Sequence, residues 1–191
     1  MTQKSNYSNK PYVMEKIVCY NGKWLNFEKI TYKDSNGKIR SWENVNRTSD
    51  RGAAVIIAIL RPSNKLVLIR QYRPPANNYV IEFPAGLIDE GEDCKASAIR
   101  ELKEETGYFG EITKMTKPVY SSPGLTNETV TIVFIDIDES NPKNINPESF
   151  NESTENIEVF LVDMNKIKEF LLDRENAGDG IDAKLSTYAL N

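Results

Sequence analysis

The sequence of 191 residues predicts a mixed fold of helices and strands, with an antiparallel β subdomain at the N-terminus. Two observations support this prediction: segments rich in β-branched and aromatic residues outnumber helical ones, and a helical segment stands between strands. This pattern alone is compatible with an α+β or an α/β class, and we take α+β. The predicted strands are 24–32, 39–45, 53–60, 66–71, 79–83, 128–138 and 157–162.

The N-terminal subdomain is predicted from a hairpin. Its two strands, 24–32 and 39–45, flank Asn36-Gly37, which is the strongest short-range signal for a tight β turn. The segment 53–60 differs from these strands because it is continuously apolar. Such a run is typical of a strand that is buried on both faces.

Three helices are predicted. The first covers 93–106, where apolar residues recur at helical spacing and Gly107 stands at the position of a left-handed C-cap. Asp163 and Asp182 are candidate N-caps for two helices nearer the C-terminus. The intervening segment 139–154 is polar and predicted to be a long loop, and loops of that length are uncommon unless they are functional or disordered.

Composition narrows the possible functions. The net charge of −4 gives no general attraction for nucleic acid, and no apolar run is long enough to span a bilayer, so we expect neither partner. The chain has no histidine, which excludes Ser-His-Asp and Cys-His catalysis and most zinc enzymes. Two cysteines form no disulfide framework, and the N-terminus lacks an apolar signal core. A cytoplasmic protein is therefore expected.

A cluster of acidic residues in the first helix is the main candidate for chemistry. Glu101, Glu104 and Glu105 are spaced i, i+3 and i+4, which places them on one helix face. Such clusters are usually solvated surface. Here, however, a glycine-containing loop precedes them and Arg100 can pair with Glu92. Carboxylate oxygens without paired cations would suit Mg²⁺ or Mn²⁺, and we expect this face to be open to solvent when no metal is bound.

The segment 86–108 resembles the Nudix box at each of its fixed polar and glycine positions, with one departure at Tyr108, where that family usually has an aliphatic residue. Pro123, sixteen residues past Gly107, is similar to the marker of the ADP-ribose pyrophosphatase branch. The segments 21–24, 41–43, 51–55, 71–75 and 81–86 also resemble the ADP-sugar pyrophosphatases. The resemblance implies an α/β/α sandwich, residues 1–48 as a dimerisation and adenine-clamp subdomain, and 49–191 as the hydrolase domain.

The resemblance also implies roles for individual residues. Metal ions would be held by the carbonyl of Ala85 with Glu101, Glu105 and Glu92, while Glu104, Arg100 and the loop residue Glu155 form the catalytic group. Glu152 and Glu158 compete with Glu155 for the role of base. The implied substrate-binding residues are Trp24, Trp42, Glu43, Arg47, Arg73, Leu87 and Ser122. Trp24 of one chain and Trp42 of the other would enclose the adenine in a homodimer with exchanged N-terminal strands.

The implied reaction is metal-dependent hydrolysis of ADP-ribose to AMP and ribose 5-phosphate. Two alternatives remain open. One keeps the chemistry but acts on another nucleoside diphosphate sugar or an oxidised nucleotide, because Ser122 stands where the family has an acidic residue that touches the terminal ribose. The other is a non-catalytic ADP-ribose sensor. The retained glutamates argue against the sensor, as does the lack of room for a DNA-binding domain.

Four of the candidate substrate-binding residues also have alternative interpretations. From the residues alone, Trp24 and Trp42 could instead be packed strand aromatics, and Arg47 and Arg73 could be surface charges.

Overall fold

A computed structural model describes residues 10–49, 51–150 and 156–190. The strands are β1 (Tyr12–Asn21), β2 (Leu25–Lys33), β3 (Ile39–Arg47), β4 (Ala53–Arg61), β5 (Lys65–Arg73), β6 (Asn78–Glu82), β7 (Ala85–Leu87), β8 (Glu111–Met115), β9 (Val119–Tyr120), β10 (Thr129–Asp138), β11 (Ile157–Asp163) and β12 (Gly180–Ile181). The helices are α1 (Cys94–Thr106), α2 (Ile167–Asn176) and α3 (Ala183–Ala189). The chain divides into two compact units: Met1–Asp50 with Tyr120–Thr129, and Arg51–Val119 with Val130–Asn191.

The first unit contains a three-stranded antiparallel sheet in the order β1-β2-β3. The predicted hairpin is present, and its turn is closed by the side chain of Asp34, which accepts hydrogen bonds from the backbone N–H groups of Asn36 and Lys38. Gly37 has a φ of +78°, a conformation that glycine adopts without strain. The strand β1 was not predicted. Two irregularities in its pairing with β2, after Val13 and after Val18, interrupt the alternation by which strands are recognised.

The second unit contains a mixed sheet in the order β12-β6-β5-β4-β10-β8, with β11 paired to β5 and β7 paired to β4. The prediction that 53–60 is buried on both faces is confirmed. Val55, Ile57 and Ile59 belong to one apolar cluster, together with residues of α2 and α3. The alternate residues of β4, from Ala54 to Leu60, join a second cluster with residues of α1. The sheet therefore lies between helices on both faces, as in the implied α/β/α sandwich.

The helix ends follow the sequence signals with one refinement. Asp93 caps α1 by accepting from the backbone N–H groups of Lys95 and Ala96, and Gly107 ends the helix with a φ of +76°. Asp182 caps α3 as expected. Asp163, however, caps a short 3₁₀ turn that precedes α2 rather than α2 itself. Within the described ranges, none of the helices is both long enough and apolar enough to cross a membrane.

The described part of the polar segment after β10 packs against the end of α1. Asn144 is buried, and its amide donates to the carbonyl oxygens of Phe109 and Asp138, each at 2.9 Å. The backbone N–H of Phe150 donates to the carbonyl of Glu104 at 2.8 Å. Residues 145–150 are thus attached to the helix that carries the candidate glutamates.

Candidate active site

The glutamates of α1 lie against the backbone of the short strand β7. Glu105 is 4% exposed, and its Oε2 accepts a hydrogen bond from the backbone N–H of Ala85 at 3.0 Å. The carboxylate of Glu101 lies so close to Gly86 that a Cβ built there would be 1.9 Å from its Cδ. A side chain at position 86 would therefore displace the Glu101 carboxylate from this position. The expectation that the whole acidic face is open to solvent is therefore wrong for Glu105, because the preceding strand covers it.

Arg100 connects the remaining acidic residues of the site. Its Nη1 donates to Glu101 Oε1 at 2.7 Å and to Glu104 Oε2 at 3.0 Å, while Nε and Nη2 donate to the two oxygens of Glu92 at 3.1 and 2.9 Å. Its bonds to Glu92 are the largest contribution raising the pKa of Arg100, and the same interaction lowers the pKa of Glu92. The expectation of a cluster without paired cations is therefore wrong, because Arg100 reaches carboxylates one and four residues further along its own helix.

The donor atoms suit a hard divalent cation, although they are not arranged around one. Among the described residues, no three acidic or cysteine side chains converge on a common point at a spacing that would hold a metal ion. Arg100 occupies oxygens of Glu101 and Glu104, and the Ala85 N–H occupies one oxygen of Glu105. Carboxylate and carbonyl oxygens are nevertheless the ligands that Mg²⁺ and Mn²⁺ prefer. Arg100 bonds one oxygen of Glu101 and one of Glu104, and each of these carboxylates has a second oxygen that could bind a cation.

The two tryptophans belong to the first unit and are exposed rather than packed. Trp24 is 68% exposed and directly precedes β2, with the Lys23 ammonium 4.5 Å from its ring centroid. Trp42 is 49% exposed on β3, and its Nε1 donates to the carbonyl of Gly124 at 3.1 Å. The interpretation of both as packed strand aromatics is therefore wrong, and both rings remain accessible to a ligand.

The positions of the tryptophans prevent them from enclosing one base within a single chain. Leu25 pairs with Arg47 and Ile30 with Trp42, so Trp24 lies six positions along the strands from Trp42. At about 3.3 Å per residue the separation is roughly 20 Å. Two rings so far apart cannot stack on the same purine.

Two candidate substrate-binding arginines are each held by a carboxylate. Arg47 donates from Nε to Glu128, and Arg73 donates from Nε to Glu82 at 2.8 Å. Glu82 is 9% exposed; burial raises its pKa, and the hydrogen bond from Arg73 opposes that rise. The acidic partners Glu128 and Glu82 were not among the predicted site residues. A lone acid inside the apolar segment 81–84 is a signal that could have indicated Glu82.

The other predicted site residues have varied positions. Glu43 and Ser122 are exposed in the first unit, and Leu87 is 40% exposed in the second. Glu158 lies on β11, with a carboxylate oxygen 3.6 Å from Arg70. Glu155 and Glu152 lie outside the described residues.

The family model, the related sequences and the similar solved structure all indicate the same protein family. A family model described as the NUDIX domain matches residues 50–181. The ADP-ribose pyrophosphatase of Saccharomyces cerevisiae is 39% identical over 87% of this chain and 76% of its own. The ADP-sugar pyrophosphatase of Mus musculus is 36% identical over 99% of this chain and 91% of its own. A crystal structure of an ADP compounds hydrolase has a TM-score of 0.67 at 26% identity, covering 85% of this chain and 83% of that one.

Proposed function

The chain belongs to the Nudix family of hydrolases, and we propose that it cleaves the diphosphate of ADP-ribose to give AMP and ribose 5-phosphate. The observation that carries this proposal is the packing of Glu101 and Glu105 against the Ala85–Gly86 backbone, which places the acidic residues of the family motif beside one short strand. The preference for ADP-ribose is supported by the names of the two relatives and by two accessible tryptophans, since exposed aromatic rings can stack on a purine.

A divalent cation, Mg²⁺ or Mn²⁺, would be held by Glu101, Glu105 and Glu92 with the carbonyl of Ala85. When bound, such an ion neutralises the diphosphate and lowers the pKa of an attacking water. The side chain of Glu104 is 44% exposed and can reorient, so it could help the other glutamates to hold the cation. Arg100 balances part of the acidic charge, and its two bonds to Glu92 would still hold it beside the site if Glu101 and Glu105 bound a cation.

The remaining chemical roles follow from the absence of histidine. A carboxylate must position or deprotonate the water, and Glu155 is the proposed base. Replacing Glu155 by glutamine should lower kcat much more than it raises KM. The same substitution at Glu152 or Glu158 is the matched comparison, and a dominant loss at either residue would transfer the role to it.

The substrate's purine is assigned to the first unit, in a homodimer with exchanged N-terminal strands. All ten residues of β1 are exposed, including Tyr12, Ile17 and Val18. An apolar strand of this kind is unusual on a monomer surface and is typical of an interface. The separation of Trp24 and Trp42 adds a second argument, because a purine held between both rings needs one ring from each chain. A cytoplasmic location, expected from the low cysteine content, remains part of the proposal.

A screen of the purified protein tests the reaction. ADP-ribose and other nucleoside diphosphate sugars would be incubated with Mg²⁺, and the products separated by chromatography. We expect AMP and ribose 5-phosphate from ADP-ribose, with the Glu101→Gln variant as an inactive control. Faster cleavage of a different nucleoside diphosphate sugar would replace the proposed substrate. Tight binding of ADP-ribose without any cleavage would contradict the proposed enzyme activity and support the function of a non-catalytic sensor.

A further inference from the structure

The segment 121–128 is bonded to β3 at three points, all within the first unit. The carbonyl of Gly124 accepts from the Trp42 indole at 3.1 Å, and the carbonyl of Leu125 accepts from the backbone N–H of Val45 at 3.0 Å. The third bond joins the side chains of Arg47 and Glu128. Two of these three bonds involve Trp42 and Arg47, which the resemblance to the ADP-sugar pyrophosphatases implies to be substrate-binding residues, so this segment fixes candidate binding residues of β3.

The Arg47–Glu128 pair has an asymmetric geometry. Glu128 is engaged by Nε of Arg47, and within the described part of the chain the two terminal nitrogens of that guanidinium make no hydrogen bond. The side chains are 37% and 20% exposed, so the pair is partly screened from water. A guanidinium held at Nε keeps a second pair of parallel N–H donors, which is the geometry that binds a phosphate in bidentate fashion.

The carboxylate of Glu128 is presented from a fixed backbone. The backbone N–H of Glu128 donates to the Thr126 hydroxyl at 3.1 Å, and the backbone carbonyl of Glu128 accepts from the N–H of Ser121 at 3.1 Å. These two bonds close the base of the segment 121–128. A carboxylate anchored in this way restricts a long arginine side chain before the ligand arrives, which reduces the entropy lost on binding.

We propose that Glu128 is a positioning residue for substrate recognition, which fixes the Arg47 guanidinium through Nε and presents its terminal nitrogens to an anionic diphosphate. This inference rests on the proposed function and on the resemblance to the ADP-sugar pyrophosphatases, which implies that Arg47 contacts the phosphates or ribose of the substrate. Glu128 itself does not touch the substrate. The negative charge of Glu128 also repels a diphosphate, but the affinity gained by orienting Arg47 exceeds this repulsion.

A double-mutant cycle tests the proposal. KM and kcat for ADP-ribose with Mg²⁺ would be measured for the wild type, Glu128→Ala, Arg47→Ala and the double variant. Freeing one long side chain should raise KM about fivefold in Glu128→Ala and leave kcat within about twofold. In the Arg47→Ala background, removal of Glu128 should no longer raise KM and should lower it slightly, because only the repulsion of the diphosphate by Glu128 is left. Glu128→Gln should be intermediate, because its amide carbonyl still accepts a bond from Nε.

One control variant and two contrary outcomes separate positioning from other effects. Glu169→Ala removes one exposed acidic residue from α2 and should leave KM unchanged. A lower KM in both Glu128 variants would show that repulsion dominates and would overturn the proposal. An equal effect of Glu128→Ala with and without Arg47 would overturn it as well, since Glu128 would then act through the fold.

Binding of ADP without metal, measured by calorimetry on the same four proteins, distinguishes this proposal from the proposed function. If the wild type does not cleave ADP-ribose, the proposed reaction fails. The calorimetric cycle then still decides the role of Glu128. Coupling between Glu128 and Arg47 in the affinity for ADP supports positioning, and additive effects of the two substitutions contradict it.

Discussion

Replacing Gly86 by alanine places a methyl group where the carboxylate of Glu101 lies. The added carbon would be 1.9 Å from both Cδ and Oε1 of Glu101. Carbon atoms in non-bonded contact are about 3.5–4.0 Å apart, so the carboxylate must retreat by about 1.5 Å or more. It can do so because it lies at the far end of a flexible side chain, although it loses its 2.7 Å bond from Arg100.

The expected result is a folded protein with little activity. A rotamer change and one lost, partly buried bond to a charged group cost about 1–2 kcal/mol, which lowers Tm by roughly 2–8 °C in a chain of this size. Misplacing a catalytic group by about 1 Å costs about a hundredfold in rate. The assay combines a thermal melt with the rate of ADP-ribose hydrolysis over a range of Mg²⁺ concentrations.

Gly180→Ala is the matched control, because a Cβ there would meet Val80 at an ordinary 3.5 Å. This variant should match the wild type in Tm, kcat and Mg²⁺ dependence. If Gly86→Ala folded and kept a normal rate at low Mg²⁺, the position of the Glu101 carboxylate would be irrelevant to catalysis. The assignment of Glu101 as a metal ligand would then be wrong.

Three further predictions follow from the site. Glu105→Gln should reduce kcat by about a hundredfold through loss of one charged oxygen from a hard-cation site, and normal activity at low Mg²⁺ would contradict that role. Burial raises the pKa of Glu82, so the folded state binds the carboxyl proton of Glu82 more tightly than the unfolded state does. The stability of the wild type should therefore fall, relative to that of Glu82→Gln, as pH rises through the raised pKa. Melts of both proteins from acidic to neutral pH test this, and a constant difference in Tm would refute it. Trp24→Ala and Trp42→Ala should each raise KM about tenfold with little change in kcat. Mixing the two variants should restore affinity at half the sites of the heterodimers, whereas a monomer by light scattering, or no recovery after proven subunit exchange, would exclude a shared clamp.

Much of the fold was predictable because its signals are local. A continuous apolar run predicts the buried strand β4. The helix α1 is predicted by its apolar periodicity, its cap at Asp93 and its terminating Gly107. β1 was missed because irregular pairing interrupts its alternation. The short strands β7 and β12 contain three and two residues, too few to show a period, and they exist only because neighbouring strands supply their hydrogen bonds.

The candidate site divides in the same way. The sequence by itself determined which residue types could serve: the spacing of the glutamates, the glycine before them and the absence of histidine restrict the chemistry to carboxylates and oxygen-bound cations. Only the tertiary structure decided that Glu105 is buried against Ala85, 20 residues away, and that Arg47 is held by a glutamate 81 residues away. These contacts join groups distant in sequence, and linear spacing carries no information about which of them the fold brings together.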